Sequence, residues 1–446
     1  MTKSKTKTME ILKFTVPMIL SALSVSLMII IDRLVLTRYS IEAVNAVTLA
    51  GFFVSVSVFM WISVAQIATV FVGQYNGKGE FKKTGRPVWQ MIYLALFAAC
   101  IFIPSSFFVE KFCFIPESFR SEGIPYQRIF MIFAPLQIAF VALSTFFIGR
   151  KQSNIIVASV FLGNIVNFFL DVALVFGVQG VVAPLGTVGA AIASASSQFF
   201  QVVMLLLIFL NQKYRDDFGT LDFKFRESLF WDCLKVGVPF SFGKLLNMIA
   251  WYLVLLFFSY SSNLLATIIS AEFMVLVIFT FFANGMEGAV SSMVSNLIGQ
   301  NDFDGVVSLL KTLIGFNVVV AAVFSIPLLF LNDIVFYMLN LPIDVSSEFY
   351  QQFCFILKAT FVIVVAEGFF YTFVGVLSAG GDTKYPMCLE IISSWVGAVL
   401  PTAILYFSGK LNDVYIAYSI IPLSYVLNCV FVYLRYKKAL WYKQLV

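Results

Sequence analysis

Twelve stretches of this sequence stay apolar for about 20 residues or more, the length a helix needs to cross the hydrocarbon core of a bilayer. They lie at roughly 14–36, 44–72, 88–110, 126–148, 155–177, 186–211, 234–258, 266–298, 311–331, 350–378, 388–408 and 413–435. Only 12% of the residues are charged, against about 25% in an ordinary soluble domain. The expected fold is therefore all-α and polytopic, with twelve transmembrane helices. Abundant phenylalanine, 51 residues, suits surfaces that face lipid and neighbouring helices.

Lysine and arginine set the orientation. With the N-terminus in the cytoplasm, most of the 29 basic residues fall on that side, among them Lys3 to Lys13, Lys78 to Arg86, Arg150 and Lys151, and Arg435 to Lys443. Positive charge is retained on the cytoplasmic side of membrane proteins, so both termini are expected there. The same excess accounts for the net charge of +5 without a nucleic-acid partner. The first apolar segment is too long for a cleaved leader and carries Asp32, so it is expected to be retained as a helix.

The sequence repeats itself. Residues 11–18 read ILKFTVPM and residues 233–240 read CLKVGVPF, while VGQYN at 72–76 faces IGQND at 298–302. The longest polar connection, 211–231, falls between the two copies. The expected organisation is an N-terminal lobe of six helices (1–212), a cytoplasmic linker (213–232) and a C-terminal lobe of six helices (233–446). Both halves enter the membrane from the same side, a parallel repeat of the kind found in secondary transporters.

Composition removes several chemistries. The chain has no histidine, hence no imidazole base and no HExxH zinc site. Proton handling must fall to carboxylates. The six cysteines are scattered without a CxxC pair and read as small packing residues. No GxxxxGK[ST] loop is present for a nucleotide. An enzyme and an ATP-driven pump are both disfavoured, and no cofactor is expected.

The fifth segment, NIVNFFLDVALVFG at 164–177, carries the informative polarity. Asn164, Asn167 and Asp171 are three and four residues apart and share one helix face. An acid at the helix centre costs roughly 2.5–3.5 kcal/mol on insertion scales, so Asp171 marks an ion or substrate path, or else a structural pairing with a neighbouring helix. Lys244, Glu272, Glu287, Glu367 and Glu390 also fall within apolar segments. Glu287 sits in the small-residue stretch ANGMEGAVSS, which permits close helix approach or a cavity wall. Glu272 is expected near the outer interface and Glu390 near the inner one. Pro401, inside the eleventh segment, frees a carbonyl and permits a kink.

Taken together, VPMILSALSVSLMIIID (16–32), VGQYNGKGEF (72–81), the 164–177 stretch followed by GTVGAAIAS (186–194), the second VP (238–239) and GVLSAGGDTKYPM (375–387) resemble the multidrug and toxic compound extrusion (MATE) family. The likeness runs over nearly the whole chain. It implies two six-helix lobes facing a central cavity, and export by alternating access in exchange for H⁺ or Na⁺. It also implies roles. Asp32 matches the first-helix acid of the family. Asn167 and Asp171 match the fifth-helix pair of its DinF-type branch, and Ser194 stands where that branch has a threonine. This set of oxygens suits either Na⁺ coordination or a shared proton. Arg33, next to Asp32, departs from the family's small or hydroxyl residue. Asn247 stands where the NorM-type branch has a seventh-helix acid, whereas Glu367 falls where such relatives carry a tenth-helix acid. Lys244 is expected to pair with Glu367 or to contact substrate.

The expected function is a cation-coupled (H⁺ or Na⁺) antiporter exporting amphipathic organic cations. A lipid or lipid-linked oligosaccharide flippase of the same superfamily is the alternative. The coupling set is Asp32, Asn167, Asp171 and Ser194. Asn164, Lys244, Asn247, Glu287 and Glu367 are expected to line the substrate cavity, with Pro401 as a hinge. The expected partners are a small-molecule substrate and the lipid bilayer, with the protein a monomer in the plasma (inner) membrane of a bacterium.

Overall fold

The computed structural model describes residues 11, 13–17, 28, 31–36, 38–112, 120–261, 263–333, 348–411, 414–438 and 441. The basic N-terminal run, much of the first apolar segment and Lys443 therefore lie outside the described residues. Among the described residues the regular structure is helical, apart from one isolated bridge between Val178 and Val182. Ten of the helical stretches are long and apolar enough to cross a membrane. The long helices are α1 (Ile41–Gln66), α2 (Ala68–Gly77), α3 (Gly85–Ser106), α4 (Arg120–Gly149), α5 (Ser153–Val175), α6 (Gly186–Phe209), α7 (Glu227–Ser261), α8 (Asn263–Gly299), α9 (Phe303–Ser325), α10 (Glu348–Ala379), α11 (Lys384–Ile392), α12 (Leu400–Phe407) and α13 (Val414–Lys437). The second predicted segment is thus two helices in sequence, α1 and α2.

The chain forms two compact units. One is built mainly from Val16–Ser241 with Ser295–Asn301, the other from Phe242–Val294 and Asp302–Lys443. The division falls inside α7, three residues after Pro239, and again inside α8.

In the N-terminal unit α4 is the central helix, packed by α1, α3 and α6. Its proline-containing sequence stays helical through Pro125 and Pro135. Helices α5 and α6 pack closely along their length, and their sequences explain it. The buried face of α6 is Gly186, Gly189, Ala190, Ala193, Ser194 and Ser197. At Gly189 a Cβ would come within 2.6 Å of the Leu174 carbonyl oxygen, closer than any side chain allows. Small residues replace hydrophobic attraction as the means of close approach between helices in lipid. A Gly189→Val variant must push backbone away from backbone, at a cost of about 1–3 kcal/mol. A lowered thermal midpoint in detergent checks this prediction; an unchanged midpoint removes the close-packing argument.

Helix α5 is polar inside and apolar outside. Asn164, Asn167 and Asp171 are buried, while Leu162, Ile165 and Phe169 on the opposite face are exposed. That inversion is what a lipid-facing helix requires, because lipid solvates phenylalanine and not carboxylate.

The 213–232 segment is tethered to the N-terminal unit. It holds a short helix, Gln212–Phe218, ended by Gly219 in the left-handed conformation at φ 61°. Arg86 Nε lies 2.7 Å from Asp222 Oδ2, and Arg226 lies 2.9 Å from the same oxygen. Trp89 donates to the Thr220 carbonyl at 2.7 Å, and the Arg150 guanidinium stacks 3.4 Å from the Phe218 ring centre. Burial alone would raise the Asp222 carboxyl, but the hydrogen bonds from Arg226 and Arg86 outweigh it and hold the group below its usual range. A lowered folded value means that the tether contributes at pH above the ordinary carboxyl range and is lost as pH falls through the folded value. Asp222→Asn should reproduce that loss at neutral pH. Limited proteolysis should then cut 213–226 faster than in the wild type; equal rates would show that the ion pairs hold nothing.

Candidate functional site

The polar stripe of α5 meets α6 and the last turns of the first apolar segment. Ser194 on α6 donates to Asp32 Oδ2 at 2.8 Å. Asn167 Nδ2 donates to Ser194 Oγ at 3.4 Å. The carboxyls of Asp32 and Asp171 lie within hydrogen-bonding reach of each other. Asn167 and Asp171 are fully buried and Ser194 nearly so. The structure therefore brings Asp32, Asn167, Asp171 and Ser194 together, from three stretches of the N-terminal unit. Asn164, one turn before Asn167, is buried on the same face.

Donors are short in this cluster. Among the described residues, Asp32 Oδ1, both oxygens of Asp171 and Asn167 Oδ1 are buried without a well-formed hydrogen bond, although the Asn167 amide lies close to both acids. An unpaired buried charge is among the most costly groups a protein can hold. Two carboxylates side by side add repulsion. A shared proton removes one charge and supplies the missing donor. A small cation such as Na⁺ instead ligates the same hard oxygens. One residue that sequence reasoning missed also borders the pair: Tyr126 on α4 is buried beside both acids, stacked on Phe130 with ring centres 4.7 Å apart. Nothing in its local sequence marks it, since its place comes from the packing of α4 against α1.

The C-terminal unit holds a second charged cluster. Lys244 on α7 lies 2.6 Å from Glu287 Oε2 on α8 and 3.4 Å from Asn284 Oδ1. Its ammonium also sits 5.4 Å from the Tyr371 ring centre. The partner of Lys244 is thus Glu287 and not Glu367, because α7 and α8 present these two groups to each other directly. Glu390 on α11 lies near Lys244, Glu287, Glu367 and the Tyr371 hydroxyl. It is buried, 4% exposed. Close helix contacts place the group: a Cβ at Gly243 would fall 2.9 Å from the Met387 backbone. Glu287 Oε1 and Glu367 Oε2 are buried without a hydrogen-bond partner. Asn247 is half-buried on α7, one turn beyond Lys244. Three glutamates against one lysine leave two negative charges in excess when all are ionised.

Pro401 lies at the start of α12, directly after a π-helical stretch, Ser393–Val399. Proline lacks the N–H that an α-turn needs and crowds the carbonyl four residues back, and the wider turns accommodate it. The eleventh span therefore runs on as one helical stretch, Lys384–Phe407, with its turns widened just before the proline.

Comparison with known proteins agrees with this architecture. The MatE family model matches residues 17–173 and 239–402. The chain is 22% identical to the probable multidrug resistance protein YoeA of Bacillus subtilis (strain 168), over 97% of this chain and 93% of that protein. It is 21% identical to the uncharacterized transporter YisQ of the same organism, over 91% and 88%. Among solved structures it is similar to the outward-facing conformation of a multidrug resistance MATE family transporter of the MOP superfamily. That likeness has a TM-score of 0.82 at 16% identity and covers 97% of this chain and 95% of the other.

Proposed function

The chain belongs to the MatE family, a family of multi-pass membrane transporters of small molecules, and from that premise we propose that it is a cation-coupled antiporter of organic cations. The observation that carries the proposal is the donor-deficient pair Asp32–Asp171 with Asn167 and Ser194 beside it. Binding H⁺ or Na⁺ neutralises the pair, and losing the ion restores the repulsion. Each ion state therefore favours a different packing of α5, α6 and the first helix, and a transport cycle needs such an ion-dependent preference. Alternating access follows as the means by which that preference moves cargo.

The excess of carboxyl groups over lysine around Lys244, Glu287, Glu367 and Glu390 supports cationic cargo, whose charge would favour ionisation of the unpaired acids. It argues against a lipid-linked oligosaccharide, whose pyrophosphate calls for basic partners. The protein acts as a monomer, needs no cofactor beyond its coupling ion, and resides in a bacterial plasma membrane with both termini in the cytoplasm. Residues 1–212 and 233–446 act as its two lobes. Pro401 is proposed to serve as a hinge: Pro401→Ala, which restores the missing N–H, should slow turnover several-fold without lowering the thermal midpoint. Unchanged turnover would remove the hinge role.

The test of the function is transport in proteoliposomes. An imposed pH or Na⁺ gradient should drive a fluorescent organic cation against its own gradient. Movement that ignores both ion gradients would overturn coupled antiport.

A further inference from the structure

Glu272 on α8 belongs to neither cluster. It is fully buried where α8, α10 and α13 meet, in the apolar core that includes Phe258, Leu276 and Phe353. Two hydroxyls reach it. Tyr418 of α13 donates to Oε2. Thr360 Oγ1 of α10 stands 3.0 Å from Oε1 and, on its other side, 2.8 Å from the Ile356 carbonyl oxygen. Of the other titratable groups nearby, Tyr425 on α13 interacts with the acid more weakly. No lysine or arginine is paired with it among the described residues.

We propose that Glu272 is a proton-binding site of the C-terminal unit, with Thr360 as its two-position hydrogen-bond partner. The Thr360 hydroxyl has one hydrogen and two acceptors in place, so it can serve only one at a time. With Glu272 ionised, Thr360 and Tyr418 each donate to the carboxylate. With Glu272 protonated on Oε1, the carboxyl donates to Thr360 Oγ1, and the Thr360 hydrogen turns to the Ile356 carbonyl. Neither state strands a hydrogen. Charge decides between them. An ionised carboxylate here would be held by two neutral hydroxyls in an apolar core, and burying an unpaired charge costs far more than burying a neutral, hydrogen-bonded acid. The protonated acid is the resting form, and the proton that leaves it is replaced in the hydrogen-bond pattern by that of Thr360.

This site does not depend on the coupling role of Asp32 and Asp171, and its test does not use transport. Infrared spectra of the lipid-reconstituted protein should be compared between wild type and Glu272→Gln. At neutral pH the wild type should show a protonated-carboxyl C=O stretch that the variant lacks. As pH is raised, that band should give way to carboxylate bands. Thr360→Val, which keeps the acid and removes one partner, should shift the frequency of the same band. If Glu272→Gln fails to fold, the shift in Thr360→Val decides alone. A difference spectrum with carboxylate bands already present at neutral pH would overturn the proposal. So would a Thr360→Val spectrum identical to the wild type.

Discussion

Asp171→Asn should abolish uphill transport and leave a folded protein that still binds its cargo. Asparagine keeps the size and one oxygen of aspartate but carries no charge and takes up no proton. In the variant the donor deficit around Asp32 and Asn167 disappears, because the new amide supplies two hydrogens to a site that lacked them. The cluster should therefore become more stable while losing its dependence on the ion. Gradient-driven accumulation in proteoliposomes should fall to the level of empty vesicles. The thermal midpoint in detergent should stay equal to the wild type or rise. Loss of stability together with loss of transport would instead describe a structural carboxylate.

Lys244→Ala should be the most destabilising single change in the C-terminal unit. The ammonium lies 2.6 Å from Glu287, with both side chains almost fully buried at 11% and 6% exposure. Removing one partner of a buried ion pair leaves the other charge uncompensated, at a cost of about 3–5 kcal/mol. Here the cost is compounded because Glu390 and Glu367 are close by and Glu287 Oε1 already lacks a partner. The double variant Lys244→Ala, Glu287→Gln removes both charges and should recover much of the loss. Thermal unfolding of the single and double variants measures the coupling directly. A single variant as stable as the wild type would show that the pair is solvated.

How much of this was readable from sequence depends on where each partner sits in the chain. Asn164, Asn167 and Asp171 come from one helix, and their three- and four-residue spacing is enough to place them on one face. The twelve apolar runs likewise carry the all-α, multi-pass fold, because a bilayer leaves few alternatives. Partners supplied by separate helices are another matter. Glu287 and Glu367 are both acids in apolar segments, and only the packing of α7 on α8 selects Glu287 for Lys244. Glu272 and Glu390 both fall within apolar segments, but that alone does not say whether their side chains are covered. Burial depends on what covers a helix face, which segment position does not reveal. The polar 213–232 stretch looks like a free connection, yet Arg86, more than 100 residues earlier, ties Asp222 down. The π-helical stretch before Pro401 shows the reverse case: the proline marks the site of irregularity, but not that widened turns will absorb it.

The ion and the cargo can be counted in the same vesicles. A pH indicator or a Na⁺ indicator inside the lumen reports ion movement while a fluorescent organic cation reports transport. Wild-type protein should show a fixed ratio of ions moved per cation in the opposite direction, and Asp171→Asn should show no transport-linked ion movement. A fixed ratio that survives in Asp171→Asn would contradict the assignment of coupling to the Asp32–Asp171 pair.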